Sequence, residues 1–161
     1  MSEVQGLASI CLLVFERPKF FDRTMRSLVD HNAGYPYELV VSDDGSLDAG
    51  IKILIQKWRP HISFVVDNCG QNMGVGAAMH HCSAIAHGQY VVKCDSDLEF
   101  TDNWLGEAVA ILENNPDVGT VGMFNYSKNY DKTDERFNVE EERPDCYIMS
   151  DFVNSIYVFR K

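Results

Sequence analysis

The 161-residue chain is 45% hydrophobic and carries a formal net charge of -10, enough apolar material for one domain that buries roughly 70% of its unfolded surface. That charge excludes a broad nucleic-acid-binding face, which must neutralise phosphates with Lys and Arg, and a small anionic ligand would need a cation or a local cluster of donors. The start lacks the basic n-region of a signal peptide, and the apolar run Ile10 to Phe15 is too short for a membrane span. Cys11, Cys69, Cys82, Cys94 and Cys146 form no C-x-x-C pair and read as reduced thiols of a cytoplasmic protein.

Short β-rich runs alternate with amphipathic helical stretches, the pattern of an α/β protein with a mainly parallel sheet flanked by helices on both faces. Ala8 to Val14 is the first predicted strand. Pro18 opens a helix with Phe21, Met25, Leu28 and Val29 on one stripe, and Glu38 to Ser42 is the second strand, running into Asp43-Asp44-Gly45-Ser46. Ile51, Leu54, Ile55 and Trp58 mark the second helix, closed by Pro60. Ile62 to Val66 is a third strand, and the polar loop Asp67 to Gly74 leads into a helix bearing Val75, Met79, Cys82 and Ala86, with Gly88 as its stop.

Tyr90 to Cys94 is the fourth strand. Thr101 or Asp102 is expected to cap a helix containing Trp104, Ala108, Ile111 and Leu112, and Val118 to Phe124 follows as a fifth strand. Asn125 to Asp145, with Glu140-Glu141-Glu142 at its centre, reads as a solvated loop or a flap over a substrate. Phe152 to Phe159 has the character of one more strand.

Tyr90 to Cys94 continues into Asp95-Ser96-Asp97. If the strand runs on, both carboxylates lie on one side about 6 to 7 Å apart, beyond the carboxyl edge of the sheet, where ligands of open α/β sheets bind. Asp43 and Asp44 arrive at the same edge from the second strand. A single such Asp is ordinarily a turn former or a cap. Two clusters on neighbouring strands instead fit a shared cation, since crowded ionised carboxylates otherwise raise one another's pKa, and hard oxygen ligands suit Mg2+ or Mn2+. Gly70 to Gly76 has the spacing G-x-x-x-G-x-G after a third strand, not the dinucleotide fingerprint. His80 and His81 point about 100° apart on a helix and read, with His87, as surface or interface residues.

The order Asp43-Asp44-Gly45-Ser46, then Asn72-Met73-Gly74, then Asp95-Ser96-Asp97, after Ala8-Ser9-Ile10-Cys11-Leu12-Leu13, resembles the nucleotide-sugar half of the family 2 glycosyltransferases. The resemblance implies a GT-A fold over 1–161, with residues 7–124 as nucleotide-sugar-binding core and 125–161 as part of an acceptor-side region. It implies that Asp43 and Asp44 read the nucleoside, that Asn72, Gly74 and Ser96 line the donor site, that Asp95 sits near the ribose and, with Asp97, at the metal, and that Asp97 is the catalytic metal ligand. Where the family's first strand ends in a Pro-Thr-Tyr-Asn-like turn, this chain has Val14, Phe15 and Glu16, left with backbone contacts to the base. Lys93, in a normally apolar strand, is expected to pair with Asp95 or Asp97 in the absence of metal.

The expected activity is metal-dependent transfer, with Mn2+ or Mg2+, from a nucleoside-diphosphate sugar, a UDP-sugar, to an unidentified acceptor with inversion. The family's base is an Asp of the acceptor half. Here either the chain is the donor-binding part of a longer enzyme or Asp151, ahead of Asp145 and the Glu140 to Glu142 run, supplies it. Two alternatives are a nucleotide-sugar-binding module without transferase activity and a receiver-like phosphoacceptor domain, which also groups carboxylates with Mg2+ but carries its acidic pair after the first strand.

Overall fold

A computed structural model describes residues 3–123, 139–149 and 156–161. The elements in chain order are β1 (Val4–Val14), α1 (Pro18–Asp30), β2 (Tyr37–Asp43), α2 (Ala49–Trp58), a 3-10 turn (Arg59–His61), β3 (Phe64–Asp67), α3 (Val75–Ile85), β4 (Gly88–Asp95), α4 (Trp104–Asn114), β5 (Thr120–Gly122), β6 (Val139–Glu142), β7 (Tyr147–Met149) and β8 (Ile156–Arg160). Six strands form one sheet in the order β3-β2-β1-β4-β8-β5. β1, β2, β3 and β4 run parallel, and β8 runs antiparallel to both β4 and β5.

Strand alternation divides the core into two layers. Ile10, Leu12 and Val14 of β1, with Leu39, Val41, Tyr90 and Val92, face α1, α2 and α4 through Phe21, Met25, Leu28, Ile51, Leu105 and Leu112. Cys11, Leu13, Val40 and Val91 point the other way, onto Ala78 and Cys82 of α3 and Ala86 just after it. Because successive side chains alternate faces and both faces are covered there, Ile10 to Val14 of β1 reads as an unbroken apolar run. The helices on both faces match the expected architecture.

Several local expectations are corrected. The start of α4 is not capped by Thr101 or Asp102. Asp102 Oδ1 instead accepts from Asn32 N at 2.9 Å and faces His31 Nδ1 at 3.3 Å. Asn103 takes the cap position with a left-handed φ of 62° and no side-chain cap bond, while Ala33 O accepts from Leu105 N and Gly106 N, each at 3.0 Å. A tertiary carbonyl replaces the local cap.

Gly88 is not the stop of α3, which ends at Ile85. It opens β4 where a Cβ would lie 2.7 Å from Ala8 C and Ser9 N, so the close approach of two backbones demands glycine there. The acidic run 140–142 is exposed, but it is strand rather than loop, paired antiparallel with β7. Arg143 fastens this hairpin with bonds to Asp117 at 2.7 and 2.9 Å, Asn115 at 2.9 Å and Glu141 at 3.0 Å, and holds the Asp117 carboxyl down at about 2.

Candidate functional site

An open cleft of about 300 Å³ lies at the carboxyl edge of the sheet, lined by residues from the ends of β1, β2 and β4 and the start of α3. Among the described residues, three carboxylates (Asp44, Asp95 and Asp97) and one cation (Arg17) line it together with Leu13, Val14, Phe15, Ser96, Val75 and Ala78. The parallel order β2-β1-β4 forces this convergence, because neighbouring parallel strands deliver their carboxyl ends to one edge.

Asp95 and Asp97 are not two positions of one strand as the alternation reading supposed. β4 stops at Asp95, and Ser96 and Asp97 form a turn. The two side chains accordingly meet different partners. Lys93 Nζ lies 2.6 Å from Asp95 Oδ1, with the lysine side chain 5% exposed. Asp97 Oδ2, on a side chain 42% exposed, is reached by Arg17 Nη1 at 3.4 Å. The expected Lys93 pairing is present, on Asp95.

The Asp43-Asp44-Gly45-Ser46 segment is a knot of backbone hydrogen bonds. Asp43 Oδ1 accepts from Ser46 N at 2.9 Å, closing the turn at the end of β2. Gly45, with φ of 82°, packs so tightly on the backbone of Gln71 that a Cβ would come within 2.5 Å. Asp44 Oδ1 accepts from Met73 N at 2.9 Å and Asn68 Nδ2 at 2.8 Å, and its Oδ2 from Gly74 N at 2.8 Å. Asn72 Oδ1 also accepts from Gly74 N, at 3.0 Å. The N-x-G segment is thereby clamped to the D-D-G-S segment, a coupling the sequence reading did not anticipate.

Both acidic residues of that segment are buried, Asp43 at 1% and Asp44 at 5% exposure, and Asp43 Oδ2 has no hydrogen-bond partner among the described residues. A buried, unpaired acceptor costs roughly 1 to 3 kcal/mol, more for a charged group. It is therefore a feature a ligand donor could satisfy.

Glu16 spans the same loops from the other side. Its Oε1 accepts from Leu47 N at 2.8 Å and its Oε2 from Asp48 N at 3.1 Å, while Glu16 N donates to Ser46 Oγ at 2.8 Å. The carboxylate is thus committed to positioning the turn, whereas Val14 and Phe15 line the cleft, Phe15 with 46% of its surface exposed. Glu16 and Arg17 are consecutive non-glycine residues at φ of 54° and 57°, an uncommon conformation whose strain of about 1 to 3 kcal/mol per residue is sustained only where surroundings enforce it. Arg17 lies outside the motifs that the sequence singles out. Its signal was a basic residue between the carboxyl end of a predicted central strand and the Pro18 that opens a helix.

Asp145 and the acidic run are placed away from the cleft: Asp145 Oδ2 accepts from Asn115 Nδ2 at 3.3 Å beside the α4–β5 connection. Asp151 lies outside the described residues. Among the described residues no group of three or more His, Cys, Asp and Glu side chains converges as a metal cage, and no helix is long and apolar enough to cross a membrane. His80 is exposed and His81 partly so, while His87 turns back onto Glu38.

Chondroitin synthase of Pasteurella multocida (strain Pm70) is 25% identical over 138 residues, 80% of this chain and 13% of that protein. The mannosyltransferase PcManGT from Pyrobaculum calidifontis, solved in complex with GDP-Man and Mn2+, superposes with a TM-score of 0.64 at 23% identity, over 74% of this chain and 35% of that one. S. aureus TarS in complex with UDP-GlcNAc gives a TM-score of 0.57 at 23% identity, over 69% and 32%. The chain thus spans about an eighth of the curated relative's length and about a third of each solved neighbour. These neighbours share the GT-A fold, and with that family match the receiver-like reading falls. The model of glycosyl transferase family 2 matches residues 9–160, and the chain belongs to that family.

Proposed function

We propose that this chain binds a nucleoside-diphosphate sugar, a UDP-sugar, at the β1–β2–β4 edge, with residues 7–124 as the donor-binding core, and transfers its glycosyl group with inversion to an acceptor hydroxyl. The observation that carries the reading is Asp97: a half-exposed carboxylate at the cleft, beyond the carboxyl edge of a parallel sheet, with one exposed cation, Arg17, against it.

The donor set fits a divalent cation of the Mn2+ or Mg2+ kind. Such ions are held through one or two carboxylates plus substrate phosphate oxygens and water rather than by an all-protein cage, and Asp97, with Asp95 beside it, supplies that minimal set. When bound, the ion would neutralise charge developing on the leaving nucleoside diphosphate. The presence of Mn2+ with GDP-Man in one neighbour and of UDP-GlcNAc in another supports this choice of ligand class.

The chain's own residues would divide the remaining work. Asp43 Oδ2 offers an acceptor to a nucleoside N–H or O–H, and Asp44 and Glu16 keep the surrounding loops in register. Phe15 and Val75 exclude water from the rim. In the transfer, the acceptor oxygen bonds to the anomeric carbon as the bond to the diphosphate oxygen breaks, that bond's electron pair leaving with the nucleoside diphosphate. The acceptor proton passes to a base, for which Asp151 is the candidate.

Calorimetry with UDP, with and without Mn2+, tests the reading. Wild-type protein should bind UDP in a Mn2+-dependent manner and Asp97→Asn should lose that dependence; undiminished Mn2+-dependent affinity in the variant would sink the assignment. A donor-hydrolysis assay run alongside separates transferase from binding module, since binding without turnover favours the latter.

A further inference from the structure

Arg17 is the sole cation among the described residues that line the cleft, which it shares with Asp44, Asp95 and Asp97. Lys93, the other nearby cation, is buried against Asp95. Arg17 is 65% exposed at its side chain, and its contact to Asp97 is a single one of 3.4 Å, the kind of pair worth about 0 to 1 kcal/mol and easily exchanged for another partner.

Its backbone, by contrast, is held firmly. Arg17 takes the N-cap position of α1 in the left-handed region, with Arg17 O accepting from Phe20 N at 3.0 Å and Phe21 N at 3.2 Å. The preceding residue is pinned by the Glu16 N to Ser46 Oγ bond. A strained, over-determined backbone thus carries a loosely engaged guanidinium to the mouth of the cleft, at the positive end of a 13-residue helix.

We infer that Arg17 is a diphosphate-binding residue that occupies Asp97 until donor and cation arrive, then moves from the carboxylate to the donor's phosphates. The inference rests on the donor-site reading above. A guanidinium fork matches phosphate oxygens bidentately, and its release from Asp97 frees the oxygen that a divalent cation needs. Arg17 and the cation therefore compete for Asp97 in the empty protein but cooperate once a diphosphate is present. In a chain of net charge -10 this gives an anionic donor a cationic contact without leaving uncompensated positive charge when the cleft is empty.

Three probes separate the consequences: Mn2+ alone, followed by the paramagnetic signal of the free ion; UDP with Mn2+; and uridine with Mn2+, both by calorimetry. Arg17→Gln should bind Mn2+ alone as tightly as wild type or up to about fivefold more tightly, the competitor being gone. The same variant should bind Mn2+–UDP about tenfold or more weakly, with uridine affinity unchanged and Arg17→Lys recovering part of the loss. Undiminished UDP affinity in Arg17→Gln, a parallel loss of uridine affinity, or weaker binding of Mn2+ alone would each overturn the inference while leaving the donor site standing. Wild-type protein that binds neither UDP nor Mn2+ would overturn the donor-site reading and this inference with it.

Discussion

Two carboxylates at opposite edges of the central sheet, Glu38 and Asp97, are held in opposite ways. At the amino edge, Glu38 of β2 is 12% exposed at its side chain and both of its oxygens are engaged: Ser9 Oγ donates to Oε1 at 2.5 Å, His87 N donates to the same oxygen at 2.6 Å, and His87 Nδ1 lies 3.1 Å from Oε2. Ser9 Oγ in turn accepts from Gly88 N at 2.8 Å, so one network ties β1, β2 and the entry to β4. At the carboxyl edge, Asp97 meets one exposed guanidinium at 3.4 Å. Fixed donors that engage both oxygens make a carboxylate part of the scaffold. A carboxylate left half in water, with one exchangeable cation, remains open to a ligand.

The sharpest way to break this contrast is Glu38→Ala. Removing the acceptor leaves the Ser9 hydroxyl and the His87 amide without their partner, a loss of about 3 kcal/mol in urea unfolding, while Mn2+-dependent UDP binding persists in the folded protein. Next is Lys93→Met, which strips a buried counter-charge from Asp95. Because Asp95 is one-third exposed, the cost should fall below the usual 3 to 5 kcal/mol for breaking a buried pair, at about 2 kcal/mol in the same measurement.

The pH dependence is a smaller effect that sharpens the comparison. Burial alone would raise the Glu38 carboxyl, but its bonds from Ser9 and His87 outweigh that and hold it below the ordinary carboxylate range. A lowered folded-state pKa contributes stability that is present above the unfolded value and lost as pH falls through the folded one. Acidification through and below the ordinary Glu range should therefore destabilise wild type more steeply than Glu38→Gln, as read by unfolding midpoints across that range. The smallest stability effect belongs to Asp97→Ala, within about 0.5 kcal/mol of wild type. A loss there comparable with that of Glu38→Ala would erase the distinction between the two carboxylates.

Much of this was legible because it depends on local pattern. The apolar run of β1, the stripe Phe21, Met25 and Leu28 on α1, and Pro18 at its first turn each encode burial through a period the backbone imposes. Convergence of the two acidic clusters was legible too, since the carboxyl ends of neighbouring parallel strands share an edge. What resisted reading were partners distant in sequence: Ala33 receiving the start of α4, Gln71 pressing on Gly45, and the hairpin of the acidic run fastened by Arg143. Nothing in Glu140-Glu141-Glu142 itself signals a strand, because its pairing with β7 and its anchor at Asp117 lie elsewhere in the chain.

The sequence by itself determined the α/β class, the strands that bear acidic ends and the family to which those motifs point, because periodicity and turn chemistry are properties of contiguous residues. Only the tertiary structure decided what each carboxylate does. Asp43 and Asp44 are alike in sequence, yet Asp44 is spent on the amides of Met73 and Gly74 while Asp43 keeps one buried oxygen without a partner among the described residues. Asp95 and Asp97 stand one residue apart, yet one is held by a buried lysine and the other by an exposed arginine from the end of β1. A carboxylate's role follows from the donors folding brings to it, and for Asp44 and Asp97 those donors come from elements far apart along the chain.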